Sequence, residues 1–388
     1  MSTKVGFFTR VIHGGVSPDP STGAILTPIF QSTTYVQDAV GHHKGYTYTR
    51  SGNPTVSALE RRLGEVESAL PAVCFATGMA AETALFLALL KPTDEVVVSD
   101  VVYGGTVRLL ERLLRPLGIV PRFVDSSDLA QVERALGPRT RLVFLESPAN
   151  PTLKLTDIAA VADLVRSRGI LLAVDNTLMT PYLQRPLDLG ADLVVHSTTK
   201  FIEGHNATLG GALLTRSPEL IEKLRFVQNA VGFSQSPFEA WLTLQGIKTL
   251  PLRMERHSQN ALRIARFLEG HSRVEHVAYP FLESFPQIAL ARRQQKLGGG
   301  LIAFTLKGGL EEGIRMMNSV RLCSLAENLG AVETLITHPA SMTHADVPAE
   351  QRRATGLSDG LVRLSVGLED PEDLMADLDR ALAGKELR

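Results

Sequence analysis

The sequence lacks several features that mark common classes of protein. Its 388 residues include only two cysteines, Cys74 and Cys323, and both lie in apolar text where a free thiol usually packs rather than forming a disulfide framework. The formal net charge is -1, so no basic excess indicates a nucleic acid or an anionic membrane as partner. No apolar run approaches the roughly 20 residues that cross a bilayer, and the N-terminal text has no apolar core of signal-peptide length. We therefore expect a cytoplasmic protein that binds neither nucleic acid nor membrane.

Two motifs of nucleotide chemistry are also missing. A nicotinamide-dependent oxidoreductase would show G-x-G-x-x-G after its first strand, and a Walker-type phosphotransferase would show G-x-x-x-x-G-K-[ST]; neither occurs. His338 and His344 lie close together in the sequence, but no cysteine or carboxylate spacing completes a metal site with them. The sequence therefore favours neither class of enzyme, and we expect no bound metal.

Short apolar runs alternate with helical stretches through the middle of the chain. The stretches between the runs, such as TVRLLERLLRPLG and DIAAVADLVRSRG, have helical periodicity and end at glycine. Continuous apolar strands separated by helices are typical of an α/β fold with a mostly parallel sheet that is covered on both faces. The runs predicted as strands cover residues 72–77, 95–100, 121–125, 141–147, 169–176, 191–197 and 210–215.

The character of the sequence changes twice along the chain. Residues 1–55 are rich in turn formers and hydroxyl side chains and lack sustained periodicity, which predicts an arm that lies on another subunit. Residues 56–250 contain the predicted sheet and form the large α/β domain. In residues 251–388, a segment with helical periodicity is followed by segments typical of strands, such as GLIAFTLKGG. This order predicts a smaller α+β C-terminal domain.

Residues capable of chemistry follow the predicted strands. Ligands of open α/β sheets bind at the carboxyl ends of the strands, and Lys200 comes directly after the strand at 191–197. A lysine that is desolvated beside a cavity has a lowered pKa and becomes a usable amine nucleophile. Asp175, at the end of another strand, can hold a positive charge in a buried ring, and Tyr103 can stack on that ring.

A phosphate site is predicted at the same edge of the sheet. Gly78 and Met79 begin a helix, whose exposed N–H groups and dipole favour an anion, and Ser197 and Thr199 can donate to the same phosphate. Each of these residues alone has an ordinary structural explanation, so the prediction depends on their order along one α/β unit. Together they meet the requirements of pyridoxal phosphate, which are a lysine, an acid at the pyridinium nitrogen and a phosphate cradle.

Eight quoted segments give the chain a family resemblance. It resembles the pyridoxal-phosphate-dependent enzymes of cysteine and methionine metabolism (trans-sulfuration), which include cystathionine γ-lyase, cystathionine γ-synthase and methionine γ-lyase. The resemblance implies the aspartate aminotransferase-like fold type I and a homotetramer built as a dimer of dimers with shared active sites. The segments are YTYTRSGNPT, ATGMAA, VYGGT, ESPANPT, AVDNT, LGADLVVHSTTKFIEGHN, LITHPASMTH and RLSVGLEDPEDL.

The resemblance also implies roles for single residues at the cofactor. Lys200 would form the Schiff base with the cofactor and later carry protons, and Asp175 would pair with the pyridinium nitrogen. Tyr103 would stack on the ring and assist the leaving group, while Asn150 would contact the ring oxygen. The residues that match the family's phosphate cradle are Gly78, Met79, Ser197 and Thr199.

Other matching residues are expected at the phosphate of a neighbour and at the substrate. Tyr48 and Arg50 match the pair that reaches the phosphate from the neighbouring subunit, which gives the N-terminal arm its role. Arg363 matches the arginine that grips the substrate carboxylate, a bidentate task suited to a guanidinium group. The remaining substrate-binding positions predicted in this way are Asn150, Asn328, Glu333 and Thr343.

The implied reaction is γ-elimination of L-cystathionine to cysteine, 2-oxobutyrate and ammonia. The cofactor acts as an electron sink when the α-proton of the substrate leaves. Gly105 stands where methionine γ-lyases typically carry a cysteine, and Glu333 resembles the glutamate of γ-acting members rather than the aromatic residue of β-lyases. The segment RFVQNAVGFSQSPF is also similar to the cystathionine γ-lyase and γ-synthase version.

Several alternatives stay open. Thr47 stands where γ-lyases and γ-synthases usually place an acidic residue near the distal amino group of the substrate, and Asn328 stands where the family usually has serine. The loss of the acid leaves room for methionine γ-lyase activity, or for γ-replacement on an O-acylhomoserine by a γ-synthase or a homoserine sulfhydrylase. A catalytically decayed protein that only binds pyridoxal phosphate, and an aminotransferase of the same fold, are the remaining alternatives.

Overall fold

The larger of two β-sheets forms the centre of the molecule. The computed structural model describes residues 5–342, 350 and 356–384. The strands of this sheet are β1 (Val73–Phe75), β2 (Glu95–Ser99), β3 (Val120–Val124), β4 (Thr140–Glu146), β5 (Leu171–Asp175), β6 (Leu193–His196) and β7 (Gly211–Thr215). Their order is β1-β7-β6-β5-β4-β2-β3. Strands β2 to β6 pair in parallel and β7 runs antiparallel to both of its neighbours, so the mostly parallel sheet predicted from the sequence is confirmed.

Helices cover both faces of this sheet. They are α1 (Phe7–His13), α2 (Pro54–Glu67), α3 (Gly78–Leu89), α4 (Gly104–Arg108), α5 (Leu129–Ala135), α6 (Ile158–Arg166), α7 (Thr180–Leu183), α8 (Pro218–Val231) and α9 (Pro237–Ile247). On one face Phe86 of α3 packs on Phe144 of β4 with ring centroids 5.3 Å apart. On the other face Ile158 and Val161 of α6 join the core that includes Val143. Burial on both faces explains why the strands read as continuous apolar runs.

A second sheet follows the large one. Its strands are β8 (Val274–Ala278), β9 (Leu301–Leu306), β10 (Ser324–Leu325), β11 (Leu335–Thr337) and β12 (Leu361–Ser365), in the order β10-β11-β12-β9-β8. The helices of this region are α10 (Leu250–Glu269), α11 (Ile288–Gln294), α12 (Gly309–Met317) and α13 (Pro371–Leu382). One hydrophobic cluster contains Ala212 and Leu214 of β7 together with Leu301 of β9 and Leu361 of β12, so strands of both sheets contribute to one core. The division of the chain at residues 55 and 250 stays a prediction.

The segment between α1 and α2 buries little of its apolar surface. Ile25, Val36 and Val40 are 86%, 90% and 100% exposed, although apolar side chains gain free energy when they leave water. That this segment is an arm lying on another subunit stays a prediction. Within the described residues, no helix has both the length and the apolar character that would let it cross a membrane.

Candidate active site at the carboxyl edge of the large sheet

The carboxyl ends of three neighbouring parallel strands meet at one cavity of about 310 Å³. β4 ends at Glu146, β5 ends at Asp175, and these two residues are direct partners in the strand register. β6 ends at His196 and the chain continues to Lys200 without another element. The residues that line the cavity are Thr77, Gly78, Met79, Glu82, Tyr103, Gly104, Arg108, Glu146, Asn150, Asp175, Thr177, Leu178, Val195, Ser197, Thr199, Lys200, Leu209, Glu327, Leu329 and Arg363.

The amine of Lys200 is the nucleophile that this cavity offers. Burial, with a smaller contribution from the nearby charge of Arg363, lowers the pKa of Lys200 to about 8. Its Nζ donates a hydrogen bond of 2.5 Å to Oδ1 of Asn328. Because a pKa near 8 leaves a useful neutral fraction near neutral pH, Lys200 can act as a nucleophile and as a base.

Helix α3 begins at the other end of the cavity. The side chain of Thr77 caps the helix by accepting a hydrogen bond of 2.9 Å from Ala80 N. The N–H groups of the first helical residues, Gly78 and Met79, have no partner within the helix and favour an anion. A Cβ atom on Gly78 would lie 2.8 Å from Cβ of Ser197, so glycine is required for the helix start to approach the segment that leads to Lys200.

Three carboxyl groups lie in the wall of the cavity: Glu82 and Glu146 are buried, and Asp175 is partly buried. Burial raises the pKa of Asp175, raises the pKa of Glu146 to about 8 and raises the pKa of Glu82 well above its ordinary value. The charge of Asp175 adds to the shift of both glutamates. Asp175 accepts a hydrogen bond of 2.8 Å from Thr177 N. Such a wall accommodates a cationic ring well, because a positive charge there relieves the repulsion among the carboxylates.

Two of these carboxyls hold the segment that carries Tyr103. Glu146 accepts hydrogen bonds of 2.8 Å from the backbone N–H groups of Tyr103 and Asn150. Glu82 accepts a bond of 2.7 Å from Oγ1 of Thr106, one turn later in α4. Sequence reasoning missed both glutamates. Glu146 ends a predicted strand, so its position could have been found from the rule that ligands bind at strand ends, whereas Glu82 looks like an ordinary solvated glutamate of a helix.

The ring of Tyr103 is half exposed and lies across Gly105. A Cβ atom on Gly105 would lie 2.4 Å from Cε1 of that ring and 2.8 Å from Sδ of Met79. The absence of a side chain at Gly105 is therefore what allows the Tyr103 ring to occupy this position.

Arg363, in β12, brings a buried positive charge to the cavity. It donates to Oδ1 of Asn150 at 3.2 Å, to the backbone oxygen of Asn328 at 3.0 Å and to Oγ1 of Thr337 at 3.1 Å. Its Nε has no hydrogen-bond partner among the described residues, and burial lowers its pKa to about 10. A buried guanidinium with a donor to spare is suited to a carboxylate ligand.

Several predicted site residues do not line this cavity. The Arg50 guanidinium lies 5.5 Å from the centre of the Tyr48 ring and donates to Asn229 at 2.7 Å. Glu333 is exposed and accepts a bond of 3.0 Å from Asn206. Asn328 contacts the site through Lys200 and Arg363. Thr343 and His344 lie outside the described residues.

Thr199 lies in the cavity wall, but its hydroxyl is already engaged. It donates to the backbone oxygen of Gly210 at 3.2 Å and accepts from Gly210 N at 3.0 Å. A hydroxyl has two acceptor lone pairs and one donor hydrogen, so donation to a phosphate would require Thr199 to turn away from the Gly210 oxygen. Within the part of the chain that the structure describes, no group of three His, Cys, Asp or Glu side chains is arranged to hold a metal ion.

Comparisons with known proteins agree on one family. The sequence profile described as "Cys/Met metabolism PLP-dependent enzyme" matches residues 8–383. The chain is 49% identical to cystathionine gamma-lyase of Dictyostelium discoideum, over 98% of this chain and 97% of the relative. It is 46% identical to L-methionine gamma-lyase of Pseudomonas deceptionensis, with 97% of each chain covered. The crystal structure of cystathionine gamma-lyase from Lactobacillus plantarum complexed with L-serine superimposes with a TM-score of 0.95 at 41% identity, over 98% of this chain and 99% of that one.

The cavity fits the cofactor on which this family depends. Lys200 supplies an amine with a lowered pKa, and Asp175 supplies a partly buried carboxyl group for a pyridinium nitrogen. The start of α3 supplies backbone N–H groups for a phosphate, close to Ser197. These are the three requirements of pyridoxal phosphate, and all of them line one cavity.

Proposed function

The chain belongs to the family of pyridoxal-phosphate-dependent enzymes of cysteine and methionine metabolism, and from this premise we propose that it cleaves L-cystathionine at the γ-carbon. One cystathionine and one water give cysteine, 2-oxobutyrate and ammonia. The name of the Dictyostelium relative, at 49% identity over nearly the full length of both chains, supports this substrate. The aspartate aminotransferase-like fold matches the class of chemistry.

The observation that carries the proposal is the bridge from Lys200 through Asn328 to Arg363. Through this bridge, the amine of Lys200 and the buried guanidinium group of Arg363 are separated in space by a single residue, Asn328. In our proposal Arg363 binds the α-carboxylate of the substrate, which turns the α-hydrogen toward Lys200. Arg363 would then act mainly by orientation, and correct orientation of reacting groups accounts for a large part of enzymatic rate acceleration.

Lys200 is proposed as the group that moves protons. The bound cofactor supplies an electron sink for the bond that breaks at the α-carbon. Lys200 Nζ takes the proton from the α-carbon, returns that proton to the bound cofactor-substrate conjugate and, neutral again, takes one from the β-carbon, after which the group on the γ-carbon can leave. Its pKa of about 8 suits this exchange, because a base works best when its pKa lies near the working pH.

The remaining cavity residues are assigned to binding. Asp175 holds the pyridinium nitrogen, and the start of α3 together with Ser197 and Thr199 holds the phosphate. Tyr103 stacks on the ring and assists the departing sulfur. Asn150, which is already bonded to Arg363, contacts both the ring oxygen and the substrate carboxylate.

A second subunit completes the site in this proposal. Tyr48 and Arg50 lie together in the arm and do not line the cavity of their own chain. We assign them to the phosphate of a neighbouring subunit, within a homotetramer that is a dimer of dimers. The exposed apolar side chains of the arm support such a contact, because they would be buried by it.

Methionine γ-lyase activity is the second candidate, and the relative from Pseudomonas supports it at 46% identity. Thr47 favours this alternative as well, because it provides no carboxylate for the distal ammonium group of cystathionine. Against it stands Gly105, where the resemblance implies a cysteine in methionine γ-lyases.

The test is product analysis on the purified enzyme with one substrate at a time. L-cystathionine should give cysteine and 2-oxobutyrate in equal amounts, and L-methionine should give little 2-oxobutyrate. Lys200→Ala is the matched control and should give neither product. Faster turnover of methionine would overturn the substrate assignment. Product formation only from an O-acylhomoserine with an added thiol would replace elimination by γ-replacement.

A further inference from the structure

A chain of three hydrogen bonds leads from the catalytic amine to an exposed carboxylate. Lys200 Nζ donates to Oδ1 of Asn328, Nδ2 of Asn328 donates to Oδ1 of Asn206 at 2.7 Å, and Nδ2 of Asn206 donates to Oε2 of Glu333 at 3.0 Å. We call these four side chains the amide chain. Asn206 and Asn328 are 122 residues apart in the sequence, so the fold alone brings the two amides together.

The amide chain has a direction that its two ends determine. An amide group donates from its nitrogen and accepts at its oxygen, an ionised carboxylate only accepts, and an ammonium group only donates. Glu333 therefore requires the NH2 group of Asn206, which leaves the oxygen of Asn206 for Asn328. Asn328 must then give its own NH2 group to Asn206 and turn its oxygen toward Lys200.

Whether Lys200 or Glu333 orients the amide of Asn328 depends on the protonation state of Lys200. As an ammonium group, Lys200 enforces this direction by itself. As a neutral amine, it presents a lone pair that could equally accept from an NH2 group, and only Glu333 then keeps the oxygen of Asn328 in place. The neutral amine is the form that attacks and abstracts protons.

We propose that Asn206 and Glu333 are positioning residues for Lys200: they fix the amide of Asn328 so that its oxygen, and not its nitrogen, faces the amine. An oxygen there accepts an N–H from the amine and leaves the lone pair of Nζ free for chemistry. An NH2 group there would donate a hydrogen bond to that lone pair and so make the neutral amine less reactive. This inference does not depend on which substrate the enzyme takes.

The backbone at Asn206 permits a clean test. Asn206 has a left-handed φ of 56°, a conformation that glycine adopts without strain. Asn206→Gly therefore removes the amide and leaves the turn intact. Glu333→Gln removes the fixed acceptor and keeps the shape. Glu327→Gln is the control for charge, because Glu327 is another exposed glutamate and lines the cavity itself.

Other charged or titratable groups also face Lys200, so the control is needed. From the elements packed around the cavity these are Glu82 of α3, Tyr103 just before α4, Arg108 of α4, Glu146 of β4, Asp175 of β5, Arg363 of β12 and Glu327. Loss of any negative charge nearby lowers the pKa of an amine. A direct charge effect and an effect through the amide chain must therefore be separated by combining substitutions.

The experiment is competitive acetylation of the full-length protein after removal of the cofactor, with peptide mass spectrometry to follow Lys200. Only a neutral amine with a free lone pair reacts, so the labelling rate at a pH well above the pKa of Lys200 reports how far that lone pair is free. We expect Glu333→Gln and Asn206→Gly each to lower this labelling of Lys200 about threefold, the scale of one modest hydrogen bond. Circular dichroism confirms that each variant is folded.

The combined variants decide the matter. In the Asn206→Gly background, Glu333→Gln should change the labelling no more than Glu327→Gln does, because the chain is already broken. Glu327→Gln should have the same effect in both backgrounds. An effect of Glu333→Gln that is equally large with and without Asn206 would overturn the proposal and leave only the direct charge effect. Unchanged labelling in both single variants would overturn it as well.

Discussion

Substitution of Gly105 by alanine should displace the ring of Tyr103 and slow the reaction with little loss of stability. The new Cβ would lie 2.4 Å from Cε1 and 2.8 Å from Cδ1 of that ring, both well below van der Waals contact. Met79, the third close neighbour, contributes only the flexible end of its side chain and can move. The Tyr103 ring is 48% exposed, so it can relieve the overlap by turning toward solvent.

The size of the effect follows from the type of overlap. Overpacking of this kind costs about 1–3 kcal/mol. The unbound protein avoids this cost by turning the Tyr103 ring outward, but the cost returns when the ring must stack on the bound cofactor and substrate. If the cost falls on the transition state, kcat/KM for L-cystathionine should decrease about five- to 150-fold. The free energy of unfolding should change by less than about 1 kcal/mol, since surface adjustments rarely cost more.

Gly104 provides the matched control. It is the adjacent residue in the same helix turn, and a Cβ there would meet only an Arg108 nitrogen at 3.5 Å, an ordinary contact. Steady-state kinetics and thermal melting of Gly104→Ala and Gly105→Ala should therefore diverge in activity but not in melting temperature. Equal activities for the two variants would refute the reasoning.

Three further predictions concern charge and subunit contacts. Burial and the charge of Asp175 raise the pKa of Glu146 to about 8, so the folded protein keeps this carboxyl protonated where the unfolded chain ionises it. The free energy of unfolding of the cofactor-free protein should therefore fall, on the order of a few kcal/mol, as pH rises from about 4.5 to 8. Urea titrations of Glu146→Gln should show a weaker dependence of the unfolding free energy on pH. Arg363→Lys should raise KM more than tenfold, since an ammonium group cannot reproduce the three bonds of the planar guanidinium, and an unchanged KM would remove Arg363 from carboxylate binding. Arg50→Ala should weaken cofactor binding about tenfold or more in equilibrium dialysis, and unaltered affinity would argue against a site shared between subunits.

The central sheet could be predicted from the sequence because its strands are buried on both faces. All seven predicted runs contain a strand within one or two residues of the expected bounds, as for β4 and β5. Strands β10 and β11, with two and three residues, were not predicted; both residues of β10 are exposed, so β10 lacks the apolar run that marked the strands of the large sheet. The paired carboxyl ends of β4 and β5 then follow from the rule that parallel strands present their ends at one edge.

The parts of the site that sequence reasoning missed depend on contacts between distant segments. The burial of Glu82 is invisible in its helix, where a glutamate is ordinarily solvated. Thr337 bonds Arg363 because β11 and β12 are paired, which the spacing of the two residues does not reveal. The donor-to-acceptor order of the hydrogen bonds through Asn328 and Asn206 likewise becomes visible only when the positions of Lys200 and Glu333 at the two ends of the amide chain are known.

The most direct test of the account is to reduce the yellow holoenzyme with borohydride and map the modified peptide by mass spectrometry. The account predicts one reduced cofactor adduct per chain, attached to Lys200, and no adduct in Lys200→Ala. An adduct on a different lysine, or one that persists in Lys200→Ala, would contradict the assignment of this cavity as the active site.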